Sequence, residues 1–277
     1  MACLETVDGD VTLSDLRDLV SLAGLEWLRS VGRRLRISNA PNVSDLTPLS
    51  ALTSARGVDI ESTAVTNLRG LGSLTSVGRL LIAYNPELVD IEAISGLTEF
   101  PDGLDILGNP RLSELAGLRS CTRVGGLGLT IGGNAVTHLD DLSSLVELSS
   151  LSLSGEALRS VAGLNGVRRI DGSVYLGSTG LSDFGGLELV EIGDRLTVSN
   201  NANLTVGDGI NGDLEIQSNV ALTDIGGLRS LTRVDRVFRF RDNTALCRSS
   251  IEALLSTVNA ATAPDPLADV MGNRTGC

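Results

Sequence analysis

The stretch Gly-Leu-Gly-Ser-Leu-Thr-Ser-Val-Gly-Arg-Leu-Leu-Ile-Ala-Tyr-Asn-Pro-Glu-Leu-Val-Asp-Ile, from Gly70 to Ile91, decides the fold. Its pattern of apolar residues starts again along the chain at steps of 18 to 25 residues. Self-similarity at a fixed short period is the sequence signature of a repeat architecture. The sequence therefore predicts stacked, similar coils.

Each repeat contains an apolar–x–apolar pair, such as Leu80 and Ile82, which is the two-residue period of a β-strand. We call the second residue of the pair the inward residue. The inward residues are Leu13, Ile37, Ile60, Ile82, Ile106, Ile131, Leu153, Leu176, Val198, Ile216 and Phe240. We expect a mainly β, right-handed, single-stranded solenoid or β-helix of about eleven coils, mostly of 22–25 residues, with a short coil near 199–216.

An asparagine recurs three residues after the inward residue in six coils. These asparagines are Asn85, Asn109, Asn134, Asn201, Asn219 and Asn243. Asparagine tolerates turns, and its amide can satisfy neighbouring backbone groups. The recurrence predicts a structural ladder between coils, whereas Thr63, Glu156 and Thr179 replace the asparagine in three coils.

The segments at the two ends depart from the repeat, as the caps of a solenoid must. We predict an N-terminal cap and first coil over 1–27, with a short helix capped by Ser14. The repeat solenoid covers 28–246, and a helical C-terminal cap covers 247–277, where Arg248 to Val258 has helical spacing. Between the asparagine turn and the next strand there is room for two short extended segments.

The charge balance bears on the class of partner. The chain has 34 acidic residues against 22 basic ones and a formal net charge of -12. This balance argues against nucleic acid or an anionic membrane surface as the main partner, since both require a basic face. No run of about 18 apolar residues predicts membrane insertion, and the first ten residues lack the features of a signal peptide.

Residues that would support catalysis or cofactor binding are sparse. His138 is the only histidine, and no nucleophile elbow accompanies it. The Gly-x-Gly-x-x-Gly match at 207–212 precedes a strand, whereas dinucleotide binding requires a helix there. Asp140-Asp141 lacks the surrounding calcium-binding repeat, and no Cys-x-x-Cys pair is present. We predict no cofactor, no metal and no enzymatic activity.

The outward positions of the strands are the best candidates for function. Solenoids commonly bind partners on such a sheet face. We predict a binding face centred on Leu81, Tyr84, Leu107 and Tyr175. The alternative is a merely solvated sheet, because scattered exposed apolar residues are normal on proteins.

The motif Gly-Leu-x-x-Leu-x-x-Val-Gly-x-Leu-x-Ile-x-x-Asn-x-x-Leu resembles the receptor L-domain-like repeat, a relative of the leucine-rich repeat. The clearest matches are 70–88, 96–112 and 227–246. The resemblance implies a right-handed coil of short parallel strands. It also implies a cell-surface or secreted recognition module, which in this family is often lipid-anchored. No site residues carry over, because the motif is structural throughout.

The four cysteines have different expected roles. The resemblance and their position at the closing cap favour a disulfide between Cys247 and Cys277, and with it an oxidising compartment. Cys121 occupies a core position and is expected to be a buried thiol. Cys3 and Cys121 are separated by roughly 20 Å at strand spacing, which is too far for a disulfide. Cys3 is therefore free or is the site of a lipid anchor.

These observations favour a non-catalytic recognition or adhesion module at the cell surface or outside the cell, with a protein or glycan partner. The alternative is an intracellular leucine-rich-repeat-like interaction scaffold in the cytoplasm. The state of the cysteines discriminates between them, since four reduced cysteines in the native protein would favour the cytoplasm.

Overall fold

The structure is a computed structural model that describes residues 4–183, 185, 187, 191–204, 206–208, 211–228, 238–257 and 270–277. These residues form a mainly β, parallel solenoid with coils of about 23 residues and one short C-terminal helix. The predicted fold class is confirmed. The chain divides into two compact units, Met1–Val136 with Asp141–Leu145 (unit 1) and Thr137–Asp140 with Val146–Cys277 (unit 2).

Unit 1 is built from short strands that pair in parallel between successive coils. The strands are β1 (Thr6–Val7), β2 (Val11–Ser14), β3 (Ser30–Ala40), β4 (Ser54–Thr63), β5 (Ser76–Ala83), β6 (Glu99–Phe100), β7 (Gly103–Leu107), β8 (Arg123–Val124) and β9 (Leu129–Gly132). The helix predicted behind Ser14 is wrong, because residues 16–27 form turns and irregular backbone.

Unit 2 repeats the arrangement and ends in a helix and a further strand. Its strands are β10 (Glu147–Leu148), β11 (Leu151–Gly155), β12 (Arg169–Ile170), β13 (Val174–Thr179), β14 (Glu191–Ser199), β15 (Val206–Asp208), β16 (Asn211–Gln217), β17 (Asp224–Gly227), β18 (Phe238–Arg241) and β19 (Val270–Met271). The helix α1 (Arg248–Thr257) lies where the sequence predicts a C-terminal helix.

The inward residues pair with one another in each unit, which places them in continuous apolar rows. In unit 1 the register joins Ile37 to Ile60, Ile60 to Ile82, and Ile82 to Ile106. In unit 2 it joins Leu176 to Val198 and Val198 to Ile216, so the short coil keeps the register. The inward residues other than half-buried Leu13 are buried, and the core of each unit is a stack of Leu, Ile and Val.

The asparagines connect successive coils through side-chain amides. The Asn109 Oδ1 accepts the backbone N–H of Asn85 at 3.0 Å, and its Nδ2 donates to the Ile82 carbonyl at 3.1 Å. The same two bonds recur at Asn85, Asn201, Asn219 and Asn243. The ladder asparagines form one series that begins at Asn85 and a second that begins at Asn201. Thr63 and Thr179 stand before these series, and each donates its hydroxyl to the Oδ1 of the first asparagine.

Immediately before the ladder position the backbone turns through the left-handed region. In the described coils the residue two positions after the inward residue has a φ between 50° and 116°. Asp, Asn, Ser and Gly fill this position almost throughout, which are residues that adopt or tolerate such a turn. The residues are Asp15, Asn39, Ser62, Tyr84, Gly108, Gly133, Gly155, Ser178, Asn200, Ser218, Asp242 and Gly272.

The return side of a coil differs from the expected pair of extended segments. One of the two is a short strand such as Glu99–Phe100, but the other is a single 3-10 turn such as Arg69–Leu71. Gly70 lies in this turn, and a Cβ there would lie 1.6 Å from the Leu46 carbonyl oxygen of the preceding coil. The glycine of the Gly-Leu motif is therefore required by close packing between coils.

The C-terminal cap contains a rung that the sequence reasoning missed. Val270 pairs with Phe240, and Asn273 Oδ1 accepts the backbone N–H of Asn243 at 3.2 Å. Val270 and Asn273 have the same spacing as an inward residue and its ladder asparagine. The helix α1 precedes them, so they do not follow Phe240 at the usual repeat length. The predicted disulfide between Cys247 and Cys277 is confirmed, with 6.1 Å between the two Cα atoms.

Removing one ladder side chain tests how much the fold depends on it. Asn109→Ala deletes a fully buried amide and leaves the Asn85 N–H and the Ile82 carbonyl without these partners. We expect the free energy of unfolding to fall by about 3 kcal/mol or more, measured by chemical denaturation. Asn42→Ala, which removes one exposed bond to the Arg17 carbonyl, is the control and should cost under about 1 kcal/mol. Equal costs would contradict the ladder.

Candidate functional site

Three of the four predicted face residues lie together on the outward side of the unit 1 sheet. Leu81 is half-buried between Asp59 and Asp105, its strand neighbours. Leu107 lies opposite Ala83, so it is the diagonal neighbour of Leu81. Tyr84 directly follows β5, and its side chain is 58% exposed. We call Leu81, Tyr84 and Leu107 the apolar patch of unit 1.

Tyr84 is unusual because it occupies the left-handed turn position with a φ of 55°. A bulky side chain in this region is a genuine outlier, since the conformation costs about 1–2 kcal/mol for residues with a Cβ. Its ring lies across Gly108 of the next coil, where an added Cβ would meet the ring at 2.6 Å. The backbone conformation is held by the Tyr84 N–H, which donates to the Leu107 carbonyl at 2.8 Å. An exposed aromatic is thus fixed in place at a local cost.

A second feature of the unit 1 face is a recess of about 770 Å³. Its lining includes five arginines and one strand glycine, namely Arg33, Arg34, Arg36, Arg56, Arg79 and Gly57. The chain has 22 basic residues in total and a net charge of -12, so this concentration of arginine is not expected from composition. We call this feature the arginine recess.

Gly57 opens the floor of the arginine recess. It pairs with Arg34 in β3 and with Arg79 in β5, so two arginines flank a position without a side chain. A Cβ at Gly57 would contact the Arg34 side chain at 3.6 Å, which is ordinary packing distance. The glycine is therefore not demanded by the backbone, and its effect is to leave room for the Arg34 side chain, whose Cγ and Nε lie over it.

Carboxylates lie beneath these arginines. Arg79 Nη2 contacts Asp105 Oδ2 at 2.6 Å, and Arg36 Nη2 contacts Glu61 Oε2 at 3.0 Å. Arg34 Nη1 lies 3.5 Å from Asp59 Oδ2, which is longer than the about 2.9 Å of an N–H···O hydrogen bond. The Asp59 side chain is 2% exposed and that of Arg34 is 46% exposed, so solvent meets the guanidinium.

Arg33 reaches the recess because of a β-bulge. The register between β3 and β4 shifts between Val31 and Arg34, so β3 has one more residue than β4 at this point. A bulge of this kind re-aims a side chain and often lies next to a functional site. The adjacent Gly32 is required, because a Cβ there would lie 2.4 Å from the Asp8 carbonyl oxygen. Among the described residues, the Arg33 side chain has no hydrogen-bond or ion-pair partner.

The sequence reasoning missed the arginine recess for two reasons. The strand alternation marks the two outward rows that contain Leu81 and Ala83, whereas Arg34, Gly57 and Arg79 form the row before them. Arg33 enters only through the bulge. The first signal was readable in the repeat as Asp10, Arg34, Gly57 and Arg79, each three residues before an inward residue.

In unit 2, Tyr175 is 40% exposed and pairs with Ser152 and Thr197 on the outward side. The Ser199 hydroxyl donates to the Tyr175 hydroxyl oxygen at 3.4 Å. Arg239 and Glu215 form an ion pair at 2.6 Å. Tyr175 therefore belongs to a polar surface, unlike the three residues of the apolar patch in unit 1.

The remaining candidates do not form a reactive centre. His138 is exposed and lies 3.9 Å from Asp140. Burial raises the pKa of the Cys121 thiol to about 11, so this predicted buried thiol is confirmed and is protonated at neutral pH. Among the residues that the structure describes, no three His, Cys, Asp or Glu side chains are grouped as metal ligands.

No described helix has the length and apolar character to cross a membrane. Cys3 lies outside the described residues.

Among solved structures, three that match this chain come from Listeria monocytogenes and from a plant. An internalin (InlF) from Listeria monocytogenes matches with 17% identity and a TM-score of 0.47, over 96% of this chain and 85% of that chain. The functional domain of InlJ from Listeria monocytogenes matches with 13% identity and a TM-score of 0.44, over 96% and 63% of the two chains. The plant peptide hormone receptor RGFR1 in complex with RGF2 matches with 15% identity and a TM-score of 0.28, over 96% and 57%.

No protein-family model matches the sequence, and no curated protein matches it. The case for a function therefore rests on this chain's own residues.

Two substitutions at Tyr84 measure how much the left-handed backbone conformation lowers the free energy of unfolding, apart from any contribution of the ring. Tyr84→Asn and Tyr84→Ala both remove the ring, but only asparagine readily adopts the left-handed turn. We expect the Asn variant to be more stable than the Ala variant by about 1 kcal/mol, measured by chemical denaturation. The same pair at Val89, which has no positive φ, is the control. An Ala variant as stable as the Asn variant would contradict the strained turn.

Proposed function

We propose that the chain is a non-catalytic recognition module of receptor L-domain-like type. It binds a protein or glycan partner outside the cell or at the cell surface. The binding surface is the outward face of the unit 1 sheet, including the apolar patch and the arginine recess. Tyr175 of the predicted face then belongs to a separate, more polar surface of unit 2.

The observation that carries this proposal is the conformation of Tyr84. Strained residues persist only where the surrounding structure determines them, and they cluster at functional sites. The other described coils satisfy the same turn with Asp, Asn, Ser or Gly, so the fold does not require an aromatic there. An exposed tyrosine beside two half-buried leucines is the type of rigid aromatic anchor that is enriched in binding surfaces.

The proposed location outside the cell is supported by the disulfide between Cys247 and Cys277. It joins residues on either side of α1 and β19, so it closes the end of unit 2. Disulfides of this kind persist in oxidising compartments and are rare in the cytosol. The alternative, an intracellular interaction scaffold, would use the same face but leaves the disulfide without a role.

The test replaces the patch with residues that other coils carry at the same positions. The variant Leu81→Thr, Tyr84→Asn, Leu107→Ser follows Thr12, Asn39 and Ser14, so the repeat pattern is kept. Labelled protein is applied to printed arrays of glycans and of purified cell-surface proteins. We expect the wild type to bind a defined subset and the triple variant to lose at least about tenfold in affinity, as for loss of an aromatic hot spot.

The matched control is Val146→Thr, which removes an exposed apolar side chain outside the patch. It should bind like the wild type. Equal binding by the triple variant, with its fold shown intact by circular dichroism, would contradict the proposed face. A wild type that binds nothing on either array would contradict the proposed function.

A further inference from the structure

We propose that the arginine recess of unit 1 binds a carboxylate-bearing saccharide of the oligouronate class. This inference rests on the proposed function and names the ligand chemistry of one part of its surface.

Several guanidinium donors in the recess are not used within the protein. Each guanidinium has five N–H groups. Arg79 donates two hydrogen bonds to a single oxygen, Asp105 Oδ2, from Nε at 3.0 Å and from Nη2 at 2.6 Å. The ion pairs of Arg34 with Asp59 and of Arg56 with Asp102 have N···O distances of 3.5 and 3.4 Å, and neither includes a hydrogen bond among the described residues. Arg33 has no such pair.

The lining of the recess has more guanidinium groups than carboxylates, five arginines against Asp10 and Asp102. The side chains of Asp59 and Asp105 are only 2% and 11% exposed, whereas that of Arg56 is 75% exposed. Guanidinium groups therefore outnumber the carboxylates that an incoming ligand meets. Arginine binds carboxylates in a planar, two-point geometry, which makes a carboxylate the natural ligand.

The spacing suits a short chain of charged units. Arg34 and Arg79 occupy the same register position on β3 and β5, with Gly57 of β4 between them. Two strand spacings place their backbones about 10 Å apart. The Arg34 side chain lies over Gly57, so a ligand rests on Arg34 and Arg79, and each of these arginines binds a separate carboxylate.

Arg33 adds a donor that the regular repeat would not place here. The bulge in β3 costs ladder hydrogen bonds, and bulges of this kind are features of function more than of stability. Because Arg33 has no partner among the described residues, the fold does not need its charge. Among the described residues, its guanidinium is not paired with a carboxylate of the protein.

The other lining residues favour a saccharide over a peptide or a nucleic acid. Asp10, Thr12 and Asp102 also line the recess and can accept hydrogen bonds from hydroxyl groups, whereas Leu127 is the one apolar side chain in the lining. Uronates combine hydroxyls with one carboxylate per sugar. Duplex DNA carries one charge per about 1.7 Å, a higher density than one carboxylate per sugar, so a protein of net charge -12 repels it more than it repels a uronate chain.

The experiment measures the binding of pentagalacturonate to the whole chain by isothermal titration calorimetry at low ionic strength. Neutral maltopentaose, pentaglutamate and inorganic phosphate are the comparison probes. We expect pentagalacturonate to bind most tightly, to lose affinity as salt is raised, and maltopentaose to bind at least about tenfold more weakly.

Variants assign the binding to the recess without unfolding it. Arg33→Gln and Arg56→Gln remove guanidinium groups that anchor no buried carboxylate, and each should weaken pentagalacturonate at least about tenfold. Gly57→Gln fills the floor and leaves all charges in place, and it should weaken binding as strongly. Arg111→Gln, an exposed arginine that pairs with Glu87 outside the recess, is the control and should have no effect.

Three results would overturn this inference. They are equal affinity for maltopentaose, unchanged affinity in all three recess variants, and tighter binding of pentaglutamate or phosphate than of pentagalacturonate. The array experiment with the apolar patch variant keeps the two proposals separable, because that variant leaves every recess arginine in place. A protein that binds an array partner but not pentagalacturonate overturns the recess assignment and leaves the proposed function standing.

Discussion

The side-chain amide of the ladder asparagine is the interaction on which the rest of the structure depends. Its Oδ1 takes the N–H of the ladder residue in the preceding coil, and its Nδ2 donates to that coil's inward carbonyl. Two backbone groups that the turn would leave unpaired and buried are thereby satisfied, which matters because unpaired buried polar groups cost about 1–3 kcal/mol each. The left-handed residue before the asparagine and the tightly packed glycine of the 3-10 turn bring successive coils into the register that this amide requires.

Because the inward residues and the ladder asparagines hold the coils together, the outward strand positions are free to vary. The repeated residues of the sequence form the inward rows and the ladder. Residues that could bind a partner therefore lie at the positions that are not repeated. In unit 1 those positions hold Tyr84 in a turn that other coils fill with small or polar residues, and arginines that surround Gly57. The turn at Tyr84 lowers stability locally, and the arginines carry hydrogen-bond donors that the fold does not use. Neither feature contributes to the apolar core. That is the pattern expected when a scaffold carries a binding surface.

The scaffold was predictable from the sequence because its signals repeat. Ile82, Asn85 and Gly70 each recur at fixed offsets, and each offset has one physical reason. The recess was only partly predictable, since Arg34, Gly57 and Arg79 are visible as a row but Arg33 depends on a bulge that no residue pattern marks. The strain at Tyr84 was equally hidden. A tyrosine after a strand predicts exposure, whereas its φ of 55° follows from the turn that the neighbouring coils impose.

Native-state hydrogen exchange tests the dependence on the ladder most directly. The backbone N–H groups of Thr63, Asn85 and Asn109 donate to side-chain oxygens of the following coil and to no backbone carbonyl of a strand ladder. If the amide ladder holds the coils together, these three N–H groups exchange only through global unfolding of unit 1, with the same protection as the central strand amides. Exchange as fast as that of exposed turn N–H groups would contradict the account.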